Sequence, residues 1–368
     1  MLIILLTLIF IRPFISSLAF PYENLIYSEL LLVFLVVWII KKGMAWKHFD
    51  SLKYALLVFM LAIAVSVIFS KNRWLSLREL YKYISGILLF IAAASLSPLE
   101  RSRVISCIIA AGLLISALAV YQYYFGLQHL LKNVTQQGRV DAFALDYISR
   151  RRPFFPFVTP NILAGYLAMV TPLALIRRRM WGLALFMFIA LLLTKSLGAL
   201  LSLFSALMIY LYLRNGFKKT SVMLIAGLLI IIAAVFLVRS SPPRQHIQPL
   251  FSIMMRLNYW QDALRIILGH PLAGVGLGNF NLNYSRYAHN SYIQVWAEMG
   301  ILGIASFLWL AITAIKLGLR NIKGSPYKTE LACLISASAV FLFHNCVDFT
   351  FFLPEISLIW WAILGMLL

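Results

Sequence analysis

Residues 103–125 read RVISCIIAAGLLISALAVYQYYF, a run with one charged residue at its start and twenty-two uncharged residues after it. At 1.5 Å per residue, an α-helix of that length crosses a hydrocarbon core of about 30 Å. Similar runs recur along the 368-residue chain, which is 62% hydrophobic and 12% charged, whereas soluble domains are about 25% charged. Because only helices and closed barrels satisfy backbone groups in lipid, and because the alternation typical of barrel strands is missing, the sequence predicts an all-α polytopic membrane protein.

The apolar runs give about twelve candidate transmembrane helices, and the connections between them alternate in charge. Short basic connections, for example 98–103 and 316–328, fall on every second loop. The positive-inside rule assigns such loops to the cytoplasm, and it therefore predicts that both termini are cytoplasmic. The predicted spans are 2–20, 25–40, 52–69, 78–96, 103–125, 159–176, 180–194, 197–213, 220–238, 291–315, 329–349 and 354–368.

Two longer segments lie outside the cytoplasm in this topology, at 126–158 and 239–290. We therefore predict a single integral membrane domain over 1–368, with 126–158 as the first outer loop. The second loop, between spans nine and ten, is long enough to form a small helical cap. Its segment SIMMRLNYWQDALRIIL (252–268) has helical periodicity, which predicts an amphipathic helix lying in the membrane interface.

The outer loops are unusually rich in arginine. They hold fourteen lysines and arginines, of which eleven are arginine, in a chain of net charge +20. Arginine suits the recognition of phosphate because its planar fork donates to two oxygens at once. Anchoring to lipid headgroups is the alternative for any single residue, but the group as a whole indicates an anionic ligand on the outer face.

Two residues of the amphipathic segment are candidates for contact with a lipid-linked phosphate. Trp260 is expected at headgroup depth, and Arg256 lies one helical turn before it. The alternative is a lipid-facing helix whose arginines extend towards water.

The stretch AHNSYIQVWAEMGILG (288–303) places polar residues at the outer start of the tenth span. Asn290 is a suitable N-cap for that helix. His289 just before it is expected to stay neutral, and so able to accept a proton, because a helix N-terminus disfavours imidazolium. A histidine that only bonds the loop is the alternative. Glu298 lies two turns inside the span, where a carboxylate is costly; it either pairs with an outer arginine or serves helix packing.

The segment FHNCVDFTFFLPE (343–355) places His344 and Asp348 one helical turn apart at the outer end of the eleventh span. Such a pair orients a base or binds a group, although structural capping is equally consistent with it. The outer face shows no cluster with metal-ligand spacing. The sequence therefore predicts neither a metal site nor a cofactor.

Three stretches together resemble the O-antigen ligase and O-antigen polymerase superfamily of bacterial membrane glycosyltransferases. The most specific of the three stretches extends from Arg256 through HPLAGVGLGNF (270–280) to AHNSYIQVWAEMGILG. Two other stretches are similar to further family motifs: RPFFPFVTPNILAGYLAM (152–169) and HNCVDFTFFLPEISLIWW (344–361). The resemblance implies transfer of a glycan from undecaprenyl diphosphate to an acceptor hydroxyl, on the periplasmic face of the bacterial inner membrane, with inversion and without metal.

The resemblance also implies roles for individual residues. His289 matches the histidine that acts as general base on the acceptor, and Arg256 matches an arginine that holds the diphosphate. Arg152 and Arg265 are further candidates for diphosphate binding. The family often has an arginine where this chain has Leu197, which makes Lys195, two residues earlier, the candidate replacement.

The expected partners are the polyprenyl-linked glycan, a lipid or other glycan acceptor such as lipid A-core, and membrane lipids, with no nucleic acid. Within the superfamily, a repeat-unit polymerase and a protein oligosaccharyltransferase remain alternatives to a ligase. A twelve-span transporter is a different class; it would show paired half-chain repeats and ionisable groups near the midplane, whereas the charges here gather at the outer face. A non-catalytic scaffold would tolerate loss of His289.

Overall fold

The computed structural model describes residues 1–43, 50–137, 142–216, 219–240 and 251–368. The described residues form α-helices joined by turns and loops, with an isolated β-bridge between Leu282 and Ser285. The α-helices are α1 Leu2–Ile11, α2 Pro21–Lys42, α3 Lys53–Ile68, α4 Arg73–Ala94, α5 Pro98–Tyr121, α6 Leu127–Gln137, α7 Ala142–Ser149, α8 Pro160–Val170, α9 Trp181–Leu193, α10 Leu197–Asn215, α11 Lys219–Ser240, α12 Phe251–Gly269, α13 Ser291–Ile322, α14 Lys328–His344 and α15 Pro354–Gly365.

The chain divides into two compact units, each assembled from separate parts of the sequence. The first unit contains Met1–Asn24, Pro98–Ser240 and Ala332–His344. The second contains Leu25–Ser97, Ser241–Leu331 and Asn345–Leu368.

In the first unit, α5 packs against α1 and α9. Gly112 of α5 permits a close approach, since a Cβ there would lie 2.9 Å from Val170 Cγ1 and 3.1 Å from Met187 Sδ. Every residue of α8 except the half-buried Asn161 is buried, and Thr159 caps the helix by accepting a hydrogen bond from Ile162 N. The helix α8 is therefore part of the core of the first unit.

In the second unit, α3 packs along α13 and α4 packs along α15. Every residue of α15 is buried. Gly86 of α4 lies against the Trp361 indole, where a Cβ would come within 2.4 Å of Nε1. Phe59 adds ring contacts at 6.0 Å to Phe307 and 6.3 Å to Trp361. Aromatic side chains thus form part of the core of this unit.

Several predicted spans differ from the observed helices. The first, predicted over 2–20, stops at Ile11, because Pro13 cannot continue the backbone hydrogen bonding of a helix. Buried Arg12 then secures the turn by donating to the Ile15 carbonyl and to Asn24 Oδ1. The eleventh, predicted over 329–349, ends at His344.

Four described helical segments are long and apolar enough to cross a membrane: Pro21–Lys42, Pro98–Asn133, Leu197–Arg214 and Ser291–Ile322. Shorter apolar helices occur at Leu2–Phe14, Lys53–Ile68, Pro160–Leu175, Ile225–Leu237 and Pro354–Gly365. The all-α membrane class is therefore supported. The count of twelve spans, the cap, the single domain and the two outer loops stay predictions.

Candidate active site

The left-handed backbone marks the predicted site segments. Among the described residues, the non-glycine residues with positive φ are Arg151 (50°), Lys195 (54°) and His289 (51°). Arg151 adjoins Arg152, and the other two residues are themselves predicted site residues. Residues held in this sparsely populated region often cluster at functional sites, because the surrounding structure must maintain the strain.

In the second unit, aromatic rings enclose the His289 imidazole. The Tyr259 ring of α12 stacks on it, with centroids 5.3 Å apart and planes inclined by 20°. Phe349 meets it edge-on at 4.8 Å. The His289 Nδ1 is buried and makes no hydrogen bond within the described part of the chain. The ring is therefore held by packing, with hydrogen-bonding capacity left over.

This environment favours the neutral imidazole. Burial is the main cause that lowers the pKa of His289 below its usual range. The Asp348 carboxylate acts against this lowering, and the Arg256 guanidinium adds to it. The expectation of a neutral ring agrees with this direction, although burial, rather than the helix N-terminus, is the leading cause.

A hydrogen-bond network fixes the backbone on both sides of His289. Gln294 Oε1 accepts from Ala288 N at 3.1 Å, and Gln294 Nε2 donates to Glu298 Oε1 at 2.9 Å. The other Glu298 oxygen accepts from Gly278 N at 2.9 Å. Glu298 thus ties the glycine-rich loop to α13, which favours its predicted packing role over a pair with an arginine.

The start of α13 is capped as predicted. Asn290 Oδ1 accepts from Tyr292 N and Ile293 N at 3.0 and 3.1 Å. Ser291 N donates to the carbonyls of Asn345 and Asp348 at 2.9 and 3.1 Å. The segment that follows α14 therefore holds the start of α13, which His289 directly precedes.

The glycine-rich loop closes onto a break in α13. Gly300 has φ 66° and ψ −170°, and a Cβ there would lie 1.9 Å from the Leu272 carbonyl oxygen. The loop supplies hydrogen bonds across the break, from Val275 N to Ala297 O at 2.9 Å and from Ile301 N to Pro271 O at 2.9 Å. The chain returns tightly at this point, and glycine is needed there because no side chain fits between the two backbones.

The predicted helix over 252–268 is present as α12. Its inner face packs on α13, with Ala263 and Ile267 in a buried cluster. Ile253 and Leu257 are 51% and 53% exposed, as expected of residues that face lipid. Ile267 is buried, because it belongs to the face of α12 that packs on α13.

Three candidates on α12 differ in their surroundings. Arg256 is half-buried and makes no hydrogen bond or ion pair with any residue that the structure describes. Trp260 is half-buried one turn away. The Arg265 side chain is 72% exposed and donates to Asp262 Oδ1 at 2.8 Å. Of the two arginines, Arg256 has the charge that lies nearer His289 and lacks a competing carboxylate.

In the first unit, Arg152 and Lys195 lie together. Arg152 is 4% exposed, and its guanidinium donates to Thr194 O at 2.8 Å and to Asn161 Oδ1 at 2.9 Å. Lys195 Nζ donates to the carbonyl of Arg150 at 2.8 Å. Partial burial, followed by the charges of Arg152, Arg150 and Arg151, lowers the pKa of Lys195. The cluster joins two loops and concentrates positive charge.

The predicted His344–Asp348 pair does not share a helix. His344 is the last residue of α14, and Asp348 lies beyond the helix end. Asn345 ends the helix, since its side-chain oxygen accepts from Ser291 Oγ at 2.6 Å and from Phe351 N at 2.8 Å. Instead of lying one helical turn from His344, Asp348 acts electrostatically on His289.

The sequence interpretation missed a charged pocket in the second unit. Lys82 of α4 forms an ion pair with Glu79, and Arg286 Nη2 lies 3.2 Å from Glu79 Oε1. Further residues of its lining are Tyr287, Gln294 and Glu298. The charges of RELYKY (78–83), at a spacing of three within an apolar helix, were the available signal, since ionisable residues there are costly unless paired.

Comparison with known proteins gives an independent result for the part of the chain that contains His289. A family model described as O-antigen ligase matches the chain over 182–308. Residues 182–308 therefore resemble the O-antigen ligases. The predicted recognition is confirmed by this match.

The O-antigen ligase match contains most of the candidate residues. Lys195, Arg256 and His289 lie within it, as do Glu298 and Arg265. Arg152, His344 and Asp348 lie outside its limits.

A second similarity covers nearly the whole chain. An uncharacterized protein of Haemophilus influenzae is 22% identical over 414 aligned positions, which cover 95% of each chain. The comparisons thus support a membrane enzyme like the O-antigen ligases and polymerases.

Proposed function

We propose that this protein is a ligase-type glycosyltransferase that moves a preassembled glycan from undecaprenyl diphosphate to an acceptor hydroxyl, with lipid A-core as the acceptor. The reaction takes place at the periplasmic face of the bacterial inner membrane, with inversion and without metal. One observation carries the proposal. His289 is a ring-enclosed imidazole with a lowered pKa, next to the charge of Arg256 and within the O-antigen ligase match.

The proposed step transfers one proton and exchanges one bond. The acceptor oxygen attacks the anomeric carbon of the donor sugar while His289 accepts the hydroxyl proton. The bond between the anomeric carbon and the diphosphate oxygen breaks, and the electron pair leaves with the diphosphate. An imidazole that acts as a general base must be neutral at the working pH, and the lowered pKa of His289 meets that requirement.

The leaving diphosphate needs positive charge, because negative charge develops on it in the transition state. Arg256 is the leading candidate, since no carboxylate among the described residues pairs with it. Arg152 and Lys195 stay predicted donor ligands; within the first unit they already donate to Thr194 O, Asn161 Oδ1 and the Arg150 carbonyl. Arg265 is a weaker candidate than Arg256, since Asp262 already engages it.

The first test measures glycan transfer by His289→Ala in proteoliposomes that contain a polyprenyl-diphosphate glycan, with a chelator present throughout. The variant is expected to lose about a hundredfold or more in rate, which is the usual contribution of general base catalysis. His129→Ala is the matched control, because His129 is an exposed histidine of α6 in the other predicted outer loop.

The acceptor pool contains lipid A-core, free repeat units and an acceptor peptide, so that the product mass separates ligase, polymerase and oligosaccharyltransferase. Equal transfer by wild type and His289→Ala would remove His289 as the base. Transport of the donor without formation of any product would indicate that the protein is a transporter and not an enzyme.

A further inference from the structure

The rings of Tyr284, Tyr259 and His289 form a continuous stack that begins at the protein surface. Tyr284 stacks on Tyr259, with centroids 5.4 Å apart and planes inclined by 28°. Tyr259 in turn stacks on His289 at 5.3 Å. Tyr284 is 50% exposed. The stack therefore presents an accessible aromatic ring two ring spacings from the proposed base.

The exposed ring is held in place by its hydroxyl group. Tyr284 Oη donates a hydrogen bond to Asp262 Oδ2, while Arg265 donates to Asp262 Oδ1 at 2.8 Å. The hydrogen bond to the carboxylate raises the pKa of Tyr284. A tyrosine ordered by stacking on one face and by a charged acceptor at its tip loses little further entropy when a ligand binds.

Lipid anchoring does not explain this arrangement well. A tyrosine at a membrane interface places its ring in the apolar region and its hydroxyl in water. The Tyr284 hydroxyl is instead bonded to a carboxylate that also pairs with an exposed arginine. A flat ring next to a carboxylate suits a pyranose, whose C–H face packs on the ring while its hydroxyl groups donate to the carboxylate oxygens.

We propose that Tyr284 and Asp262 form a subsite for the saccharide acceptor, in which a pyranose packs on the Tyr284 ring. Arg265 positions Asp262, and Tyr259 links the subsite to His289. The saccharide that approaches along this stack brings its hydroxyl towards the imidazole. The inference depends on the proposed function for its role in transfer, whereas saccharide binding is measurable without any transfer.

The binding experiment uses the full chain in nanodiscs with wild type as the parent and no donor glycan present, so that no turnover takes place. The probe is a fluorescently labelled, deacylated lipid A-core oligosaccharide, and Kd is measured by anisotropy. Adding Tyr284→Ala is expected to weaken binding about tenfold, the upper value for a stacked aromatic contact. Tyr284→Phe keeps the ring and is expected to weaken binding only about two- to threefold, as for one lost hydrogen bond.

Tyr22→Ala is the matched control, since Tyr22 is 80% exposed and lies at the start of α2. It is expected to leave Kd unchanged. Unchanged binding by Tyr284→Ala, an equal loss in Tyr22→Ala, or no binding by the parent would each overturn the subsite.

The kinetic arm uses the active enzyme and separates binding of the acceptor from support of the fold. Tyr284→Ala is expected to raise KM for the acceptor about tenfold while kcat and KM for the donor stay constant. A fall in kcat with an unchanged acceptor KM would mean that Tyr284 only supports α12, which overturns the proposal. Binding that depends on Tyr284 in a protein that transfers no glycan would retain the subsite and reject the proposed function.

Discussion

Arg152 and Arg256 are both predicted to hold the donor diphosphate, yet the structure gives them opposite surroundings. Arg152 is 4% exposed, and its guanidinium already donates to a backbone carbonyl and to the Asn161 amide. Arg256 is half-buried and bonds to none of the described residues. A motif can identify an arginine, but only the surroundings show whether its donors are already engaged.

The same contrast extends to the neighbouring residues. Lys195 donates to a carbonyl in the first unit, where partial burial and then the neighbouring arginine charges lower its pKa. His289 is enclosed by rings, and its Nδ1 is without a hydrogen bond among the described residues. Arg152 and Lys195 therefore combine positive charge with a structural role, whereas His289 Nδ1 and the Arg256 guanidinium bond to none of the described residues.

Arg152→Ala is expected to have the largest effect on stability. The change leaves Thr194 O and the Asn161 side chain without their donor in a buried place, at a cost of about 3 kcal/mol in the free energy of unfolding. Thermal unfolding of the detergent-solubilised protein measures it. Arg150→Ala is the control, because its pair with Asp146 is partly exposed, and we expect a cost of no more than about 1 kcal/mol.

A stable Arg152→Ala protein that transfers no glycan would contradict the contrast between a structural Arg152 and a ligand-binding Arg256. Its guanidinium would then be a ligand for the donor in the same sense as that of Arg256.

Arg256→Ala is expected to reduce kcat/KM for the donor about 10- to 100-fold, which corresponds to one or two charge-assisted hydrogen bonds to the diphosphate. Thermal stability is expected to change by less than about 0.5 kcal/mol, because no described contact is lost. Arg256→Lys keeps the charge without the planar fork and is expected to recover part of the rate. Full activity of Arg256→Ala would leave its guanidinium without a role at the donor.

The smallest expected effect is a shift in the pH profile of transfer. His289 must be neutral to act as base, and its pKa is lowered. The rate is therefore expected to stay constant at neutral pH and to fall only when the pH drops through that lowered pKa, where the imidazole becomes protonated.

Two variants extend this test. They are expected to shift the acid limb of the pH–rate profile, which is the part where the rate falls at low pH, in opposite directions. Arg256→Ala removes a charge that lowers the pKa of His289, so the limb moves to higher pH. Asp348→Asn removes the charge that raises this pKa, so the limb moves to lower pH. Profiles of kcat/KM for the acceptor provide the measurement. Superimposable profiles would show that the titrating group is not His289.

Local sequence signals predicted the local features of the candidate site. The cap at Asn290 and the helix over 252–268 depend on residues close together in the chain, and each is observed. The pairing of Glu79 with Lys82 follows the same local rule of helical spacing. It was missed because neither residue belongs to a family motif.

Features that depend on distant residues were not predictable in this way. The helix carrying His344 ends early because Asn345 binds Ser291, which is 54 positions away. The stacking of Tyr259 on His289 requires α12 to pack on α13. Neither contact has a periodicity or spacing that a single sequence shows.

The sequence by itself determined the helical membrane class, because long apolar runs must satisfy their backbone internally in lipid. It also determined which residue types are available for the chemistry, including His289 and Arg256. Only the tertiary structure decided which of these side chains have donors and acceptors that bond to none of the described residues. That outcome depends on contacts between residues far apart in the chain, such as the buried bonds of Arg152 and the rings around His289.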